Sequence, residues 1–156
     1  MDDDALPQDR HRLLVHWFEN GIPFNVHLGL RVDRITRGGA VLRLPFQEAM
    51  IGDTRRPALH GGVTSMLADT AGGAACFSML DNVDDRVSTV DLRVDYLRPG
   101  IAADVVCQAT VVRMGNRVGV TSMNLWSGGL PDDGATDPKP FATAHGVYNI
   151  LRRRED

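Results

Sequence analysis

Apolar residues along this chain switch between helical and alternating spacing, and the switches divide it into elements. Over residues 9–20 the apolar positions Leu13, Leu14, Trp17 and Phe18 fall at helical spacing, and Asn20-Gly21 supplies a stop signal. Pro23 separates this helix from the rest of the chain. Residues 28–37 read as a strand, Gly38-Gly39 as a tight hairpin turn, and residues 40–46 as the partner strand. A loop over 47–59 carries Gly52, Asp53 and Pro57, and leads into a helix predicted from about residue 61 to 80. After an acidic turn at 81–85 comes the clearest alternation: Val90, Leu92, Val94 and Tyr96 are apolar between polar Thr89, Asp91, Arg93 and Asp95. That is the mark of a half-buried strand, here closed by Pro99-Gly100. Three further strands are predicted at 104–113, 117–126 and 141–151, with a turn at Met114-Gly115-Asn116 and a long Gly-, Pro- and Asp-rich loop over 127–140.

The order helix, two strands, one long helix, four strands implies an α+β fold, the long helix lying across one face of a curved antiparallel sheet. The division expected is an N-terminal tail and short helix over 1–24, a main domain over 25–151 and a charged tail over 152–156. A chain of 156 residues suits one domain with its own core. The net charge of -3 gives no general attraction for nucleic acid or an anionic membrane. Apolar runs break well before the roughly 18 residues a membrane span needs. The acidic Met1-Asp2-Asp3-Asp4 start lacks the basic-then-apolar order of a signal peptide, so a cytoplasmic location is expected. Cys76 and Cys107 sit in apolar patterned segments and read as buried core thiols, unpaired with each other. His11, His16, His27, His60 and His145 form no cluster of metal-ligand spacing, and no metal or other cofactor is expected.

The chemistry concentrates at the start of the long helix. His60-Gly61-Gly62 opens it, Asp69 follows nine residues after the histidine, and Gly72-Gly73 sit inside it. Each interior glycine costs about 1 kcal/mol relative to Ala, so a close approach by a neighbouring element or ligand must require it. A helix N-terminus beginning with glycines presents free N–H groups and the positive end of the macrodipole, suited to an anion or a developing oxyanion. Asp69 points along nearly the same face as Gly62, together with Ser65, Gly72, Gly73 and Cys76. The rise from Gly62 to Asp69 is roughly 10.5 Å, too far for one carbon to meet both groups at the ~3–3.5 Å that reaction needs. Two such helices antiparallel across a two-fold axis solve this, Asp69 of one chain facing Gly61 and Gly62 of the other. The spacing therefore predicts a homodimer with two shared sites, with a dimer of dimers as a further possibility.

Leu-His-Gly-Gly-Val-x5-Asp-Thr-Ala, followed by Val90-Asp91-Leu92-Arg93-Val94-Asp95-Tyr96-Leu97-Arg98-Pro99, resembles the hotdog-fold acyl-CoA thioesterases of the phenylacetyl-CoA type. The resemblance runs over about 25–150 and includes Leu28-Gly29-Leu30 as a strand opening and the Gly115-x-Arg117 turn. It implies that Gly61 or Gly62 supplies an oxyanion-hole N–H to a thioester carbonyl, and that His60 positions this loop. It further implies that the partner's Asp69 acts as general base on water or as nucleophile through an anhydride. Thr89 matches a position where a hydroxyl assists the attacking water. The family often has Asn or Gln six residues before the histidine; here that place is Thr54, with Asp53 beside it, and either Thr54 or Asp53 substitutes or the role is unfilled. Arg98, Arg113 and Arg117 flank turns and are candidates for the phosphates of CoA, as Arg55 and Arg56 are in the preceding loop. Met66, Leu67, Phe77, Met79 and Leu80 are candidates for the acyl tunnel. The expected activity is hydrolysis of an acyl-CoA to carboxylate and free CoA. The alternatives are a hotdog hydratase or dehydratase with His60 as base, and an acyl-CoA-binding protein without turnover.

Overall fold

The computed structural model describes residues 5–133 and 137–153. The acidic start Met1 to Asp4, residues 134–136 of the predicted long loop, and residues 154–156 of the charged tail lie outside them. The chain runs through α1 (Gln8–His16), a π-helical turn (Trp17–Gly21), α2 (Pro23–Leu28), β1 (Arg31–Thr36), β2 (Gly39–Leu44), β3 (Ile51–Asp53) and β4 (Ala58–Leu59). It then forms α3 (Gly61–Phe77), β5 (Arg86–Tyr96), β6 (Val105–Met114), β7 (Val118–Ser127) and β8 (Ala142–Leu151). Six strands make one antiparallel sheet in the order β1-β2-β6-β7-β8-β5, while β3 and β4 pair separately. Helix α3 lies across that sheet and touches all six of its strands. This is the α+β hotdog arrangement.

Small side chains let the helix sit close. Ala68, Ala71, Ala74 and Ala75 of α3 are fully buried, together with Leu67. They pack into one core with Leu42 and Leu44 of β2, Val105 and Cys107 of β6, and Leu125 of β7. Leu14 and Phe18 belong to the same core, so the N-terminal helical segment is packed onto the sheet-and-helix unit. Irregularities in β1, β5 and β6 break the ladder locally, and such bulges add bend and twist to a sheet that must curve around a helix. No helix among the described residues is long and apolar enough to cross a membrane.

Five expectations need correction. The loop predicted over 47–59 contains the short paired strands β3 and β4, and the first hairpin turns at Arg37-Gly38, Gly39 already pairing with Thr36. Leu28-Gly29-Leu30 does not open a strand: Pro23 starts α2 at its first position, where its fixed φ suits a helix, and Gly29 ends it in the left-handed conformation at φ 69°. Helix α3 stops at Phe77 instead of residue 80. Arg10 Nη2 donates to Phe77 O, the last carbonyl of the helix, at 3.1 Å and to Leu80 O just beyond it at 2.6 Å. Val90 is not part of the buried face, being 65% exposed. A bulge between Thr89 and Asp91 leaves it without a partner on β8.

Cys76 and Cys107 are free and buried. Burial pushes the Cys76 thiol up to about 12 and the Cys107 thiol higher still, and the Tyr148 phenol is also raised, first by burial. In the unfolded chain a thiol ionises near pH ~8.5. The stabilisation from keeping these groups protonated is therefore whole below that range and is lost as pH rises toward 12. Thermal scans are expected to show Tm falling steadily above about pH 9. In the same pH range a thiol reagent is expected to label neither cysteine until the protein unfolds.

Candidate active site

The site begins with how the chain enters α3. Ile51 pairs with Leu59 and Asp53 with Ala58, and the His60 N–H donates to Met50 O at 2.8 Å. Gly52 lies against this entry; a Cβ there would stand 2.7 Å from the His60 Cα. Held in this way, His60 takes an extended conformation and caps the helix, its Nδ1 accepting the Gly62 N–H at 2.9 Å. An Nδ1 that accepts carries no hydrogen, so the ring presents Nε2–H outward. The Gly62 N–H is thereby used within the chain. The Gly61 N–H meets no acceptor among the described residues, while its carbonyl accepts from Tyr96 Oη at 2.8 Å.

Two turns further along α3, the Thr89 hydroxyl donates to Asp69 Oδ1 at 2.7 Å. Thr89 stands opposite Tyr148 of β8, just before the bulge, and this register aims both side chains at the helix. Tyr148 Oη donates to the backbone carbonyl of Asp69 at 3.0 Å. Burial first, and the Asp69 carboxylate second, keep that phenol protonated, and therefore a donor. The ring fits only because two glycines yield to it. A Cβ at Gly72 would stand 2.2 Å from Tyr148 Oη, and one at Gly146 would stand 2.6 Å from Tyr148 Cε2.

Gly62, Ser65, Asp69, Gly73 and Thr89 line one cavity of about 550 Å³, with Met66, Phe77 and Leu92 among its apolar walls. The two interior glycines of α3 thus serve different ends. Gly72 makes room for Tyr148, whereas a Cβ at Gly73 would meet only Tyr148 Cε1, at an ordinary 3.8 Å, and would otherwise project into the cavity wall. Gly72 and Cys76, expected on the Asp69 face, do not reach the cavity. Gly72 lies under Tyr148, and Cys76 Sγ lies 2.8 Å from where a Cβ of Gly119 would be. Of the five apolar candidates for the tunnel, Met66 and Phe77 line the cavity. Leu67 and Leu80 are core residues, 0% and 1% exposed, and Met79 packs against Gly38.

Other candidate residues stand apart. Thr54 is exposed in the turn between β3 and β4 and is not among the cavity's lining residues. Asp53 accepts from Arg55 N at 3.0 Å and from Arg55 Nε at 3.2 Å, which holds its carboxyl below the usual range. Arg98 is engaged with Asp137 Oδ2 at 2.7 Å and Pro140 O at 3.0 Å. Arg113 and Arg117 are exposed about the β6–β7 turn. That turn abuts the end of the β5–β8 ladder opposite Arg98, since Ile150 N–H donates to Arg117 O and Arg98 N–H to Phe141 O. The three arginines therefore do not converge within one chain.

Sequence reasoning missed Tyr148, and it placed Trp17 and Phe18 in a separate N-terminal segment although both line the cavity. A glycine inside the predicted last strand, Gly146, two residues before Tyr148 and so on the same face, was the available signal for the first. For the aromatic pair, helical spacing showed a buried stripe but not what it would face.

Comparison with known proteins gives the class that this fold and site define. The family model described as "Thioesterase superfamily" matches residues 57–131, from the entry of α3 through β7. A putative esterase of Halobacterium salinarum is 36% identical over 133 residues, covering 80% of this chain and 82% of that protein. The medium/long-chain acyl-CoA thioesterase YigI of Salmonella typhimurium is 34% identical over 126 residues, covering 73% of this chain and 81% of its own. The PaaI protein from the phenylacetic acid degradation operon of E. coli is 22% identical and shares the fold, with a TM-score of 0.76 over 92% of this chain and 95% of that one. The chain belongs to the thioesterase superfamily.

Proposed function

We propose that this protein hydrolyses acyl-CoA thioesters to a carboxylate and free CoA. The observation that carries this reading is the Asp69 carboxylate, oriented by the Thr89 hydroxyl at 2.7 Å, in the wall of a largely apolar cavity. A thioester carbonyl needs a donor where negative charge develops on oxygen and a base or nucleophile beside its carbon. The Gly61 N–H serves as that donor, backed by the positive end of α3. His60 keeps the first turn in place. The medium/long-chain acyl-CoA thioesterase among the relatives supports the same substrate class.

Asp69 acts in one of two balanced ways. As base, it takes a proton from water while the water oxygen bonds to the carbonyl carbon; the C–S bond then breaks and the thiolate takes the proton. As nucleophile, its own oxygen bonds to the carbonyl carbon and CoA leaves, and water then cleaves the anhydride. Label in Asp69 after a single turnover in ¹⁸O-water marks the second route with water attacking the Asp69 carbonyl of the anhydride, since the first route never labels the residue. The carboxylate comes from the partner subunit in this reading. Strand β5, eleven residues long and at the sheet edge, leaves backbone groups unpaired on its outer side, and a second copy pairing there supplies the shared sites. CoA phosphates are assigned to Arg113 and Arg117, with Arg98 joining only by releasing Asp137.

Release of free thiol from short, medium, long and aromatic acyl-CoAs tests the function. Thiol release that follows enzyme concentration is expected; stoichiometric binding without release would leave an acyl-CoA-binding protein instead. Thr89→Val removes one hydrogen bond to a charged group, and kcat is expected to fall about 10- to 100-fold. Thr89→Ser should restore most of it, which a merely structural threonine would not require.

A further inference from the structure

Beyond the cavity at Asp69 lies a larger one of about 1220 Å³. The two share three lining residues, Trp17, Phe77 and Val87. Trp17 and Phe77 meet edge to face with ring centroids 5.0 Å apart, and Phe18 stands 4.9 Å from Trp17 in the same manner. These rings form the partition between the two spaces. Trp17 is the first residue of the π-helical turn, a rare single-turn geometry that accompanies functional positions. Gly21, the last residue of that turn, holds the indole from the other side: a Cβ there would stand 2.5 Å from Trp17 Cδ1. No side chain fits at Gly21 while the indole keeps its place.

We infer that Trp17 sets the acyl length this enzyme accepts, its indole closing the acyl cavity short of the larger space beyond. The inference rests on the thioesterase reading above. The second space offers hydrocarbon an apolar wall in Leu13, Leu14, Val83 and Leu151, beside His16, Arg86 and the ion pairs Arg152–Asp85 and Arg153–Asp84. Its Arg10 is committed to the carbonyls of Phe77 and Leu80 at and just past the end of α3. A chain whose end reaches the Trp17–Phe77 contact has no further room until the indole is removed or displaced. Gly21 is then a positioning residue, acting on acyl length through Trp17 without lining either space.

The test is kcat/KM for straight-chain acyl-CoAs of increasing length, measured on the wild type, Trp17→Ala, Trp17→Phe and Gly21→Ala. The wild type is expected to lose activity beyond a limiting length. Trp17→Ala should shift that limit to longer chains, raising kcat/KM on the longest by roughly tenfold, the scale on which a hydrophobic pocket discriminates chain length. The ratio of kcat/KM on the longest to that on the shortest substrates should rise accordingly, Trp17→Phe should lie between, and Gly21→Ala should shift the limit in the same direction. Adding Val83→Trp, at a position 66% exposed in the second space, should return Trp17→Ala to the shorter limit. A wild type with no length limit, or folded Trp17→Ala and Gly21→Ala proteins whose profiles do not move or fall equally at all lengths, overturns the inference. Should Trp17→Ala fail to fold, the Gly21→Ala profile decides. A folded wild type that releases no thiol at any length overturns the thioesterase reading, and the length role falls with it.

Discussion

Asp69→Asn is expected to lower kcat for acyl-CoA hydrolysis by about 100- to 10,000-fold, the range over which a positioned acid–base group acts. The variant keeps the shape of the side chain and can still accept the Thr89 hydroxyl, so the fold and the cavity should be retained. KM should change little, since the carboxylate works on the reacting carbon and contributes little to holding the acyl chain or CoA. Steady-state kinetics with a thermal scan on the same sample reads both quantities. A kcat within a few-fold of wild type, with Tm unchanged, would remove Asp69 from the chemistry. The same variant tests the shared site. A Cβ at Gly62 would stand 2.9 Å from His60 Nδ1, so Gly62→Val dislodges the cap and damages the helix N-terminus. In a heterodimer of Asp69→Asn and Gly62→Val chains, one of the two shared sites receives an intact Asp69 from one chain and an intact N-terminus from the other. Activity is expected to reappear on mixing. If heterodimers form and stay inactive, each site belongs to one chain.

Gly72→Ala and Gly73→Ala are expected to move stability in opposite directions although the positions are adjacent. At Gly72 the added methyl would stand 2.2 Å from Tyr148 Oη and 2.8 Å from Thr121 Oγ1, both buried. Overpacking of this kind costs about 1–3 kcal/mol, more than the ~1 kcal/mol that helix propensity returns. The Tyr148 hydroxyl must leave the Asp69 carbonyl for the methyl to fit, so activity should fall along with Tm. At Gly73 the nearest atom is at 3.8 Å, and the propensity gain of up to ~1 kcal/mol should appear as a higher Tm. The methyl then occupies cavity volume beside Asp69, and kcat/KM should drop about tenfold, as a methyl misplaced in a hydrophobic pocket does. Paired thermal and kinetic measurements on both variants check this. A stabilised Gly72→Ala would mean that Tyr148 is not held where its hydrogen bond puts it.

Most strands and the start of α3 were legible because periodicity and turn chemistry act over a few neighbouring residues. The first hairpin was legible to within a residue, turning at Arg37-Gly38 with Gly39 already paired to Thr36, and His60-Gly61-Gly62 did open the long helix. The site glycines and Asp69 stood out for the same reason, each being locally unfavourable or unusual where it lies. Val90 escaped because a β-branched residue suits a bulge as well as an alternating strand, and only the pairing with β8 shows which it is. The strand opening at Leu28 failed where Pro23 and Gly29, read as punctuation, turned out to begin and end a short helix.

The chain by itself determined a sheet of antiparallel strands, one long helix with a glycine-rich N-terminus, and a carboxylate on that helix, because these follow from local spacing and backbone preference. Only the tertiary structure decided which glycine N–H stays open, since His60 Nδ1 takes the one at Gly62. It alone brought Thr89 to Asp69 across 20 residues and Tyr148 to Asp69 across 79, and it set Trp17 against Phe77 at the cavity wall. The contacts of Thr89, Tyr148 and Trp17 join distant segments whose meeting is dictated by the packing of the helix on the curved sheet, and no short-range pattern encodes that geometry.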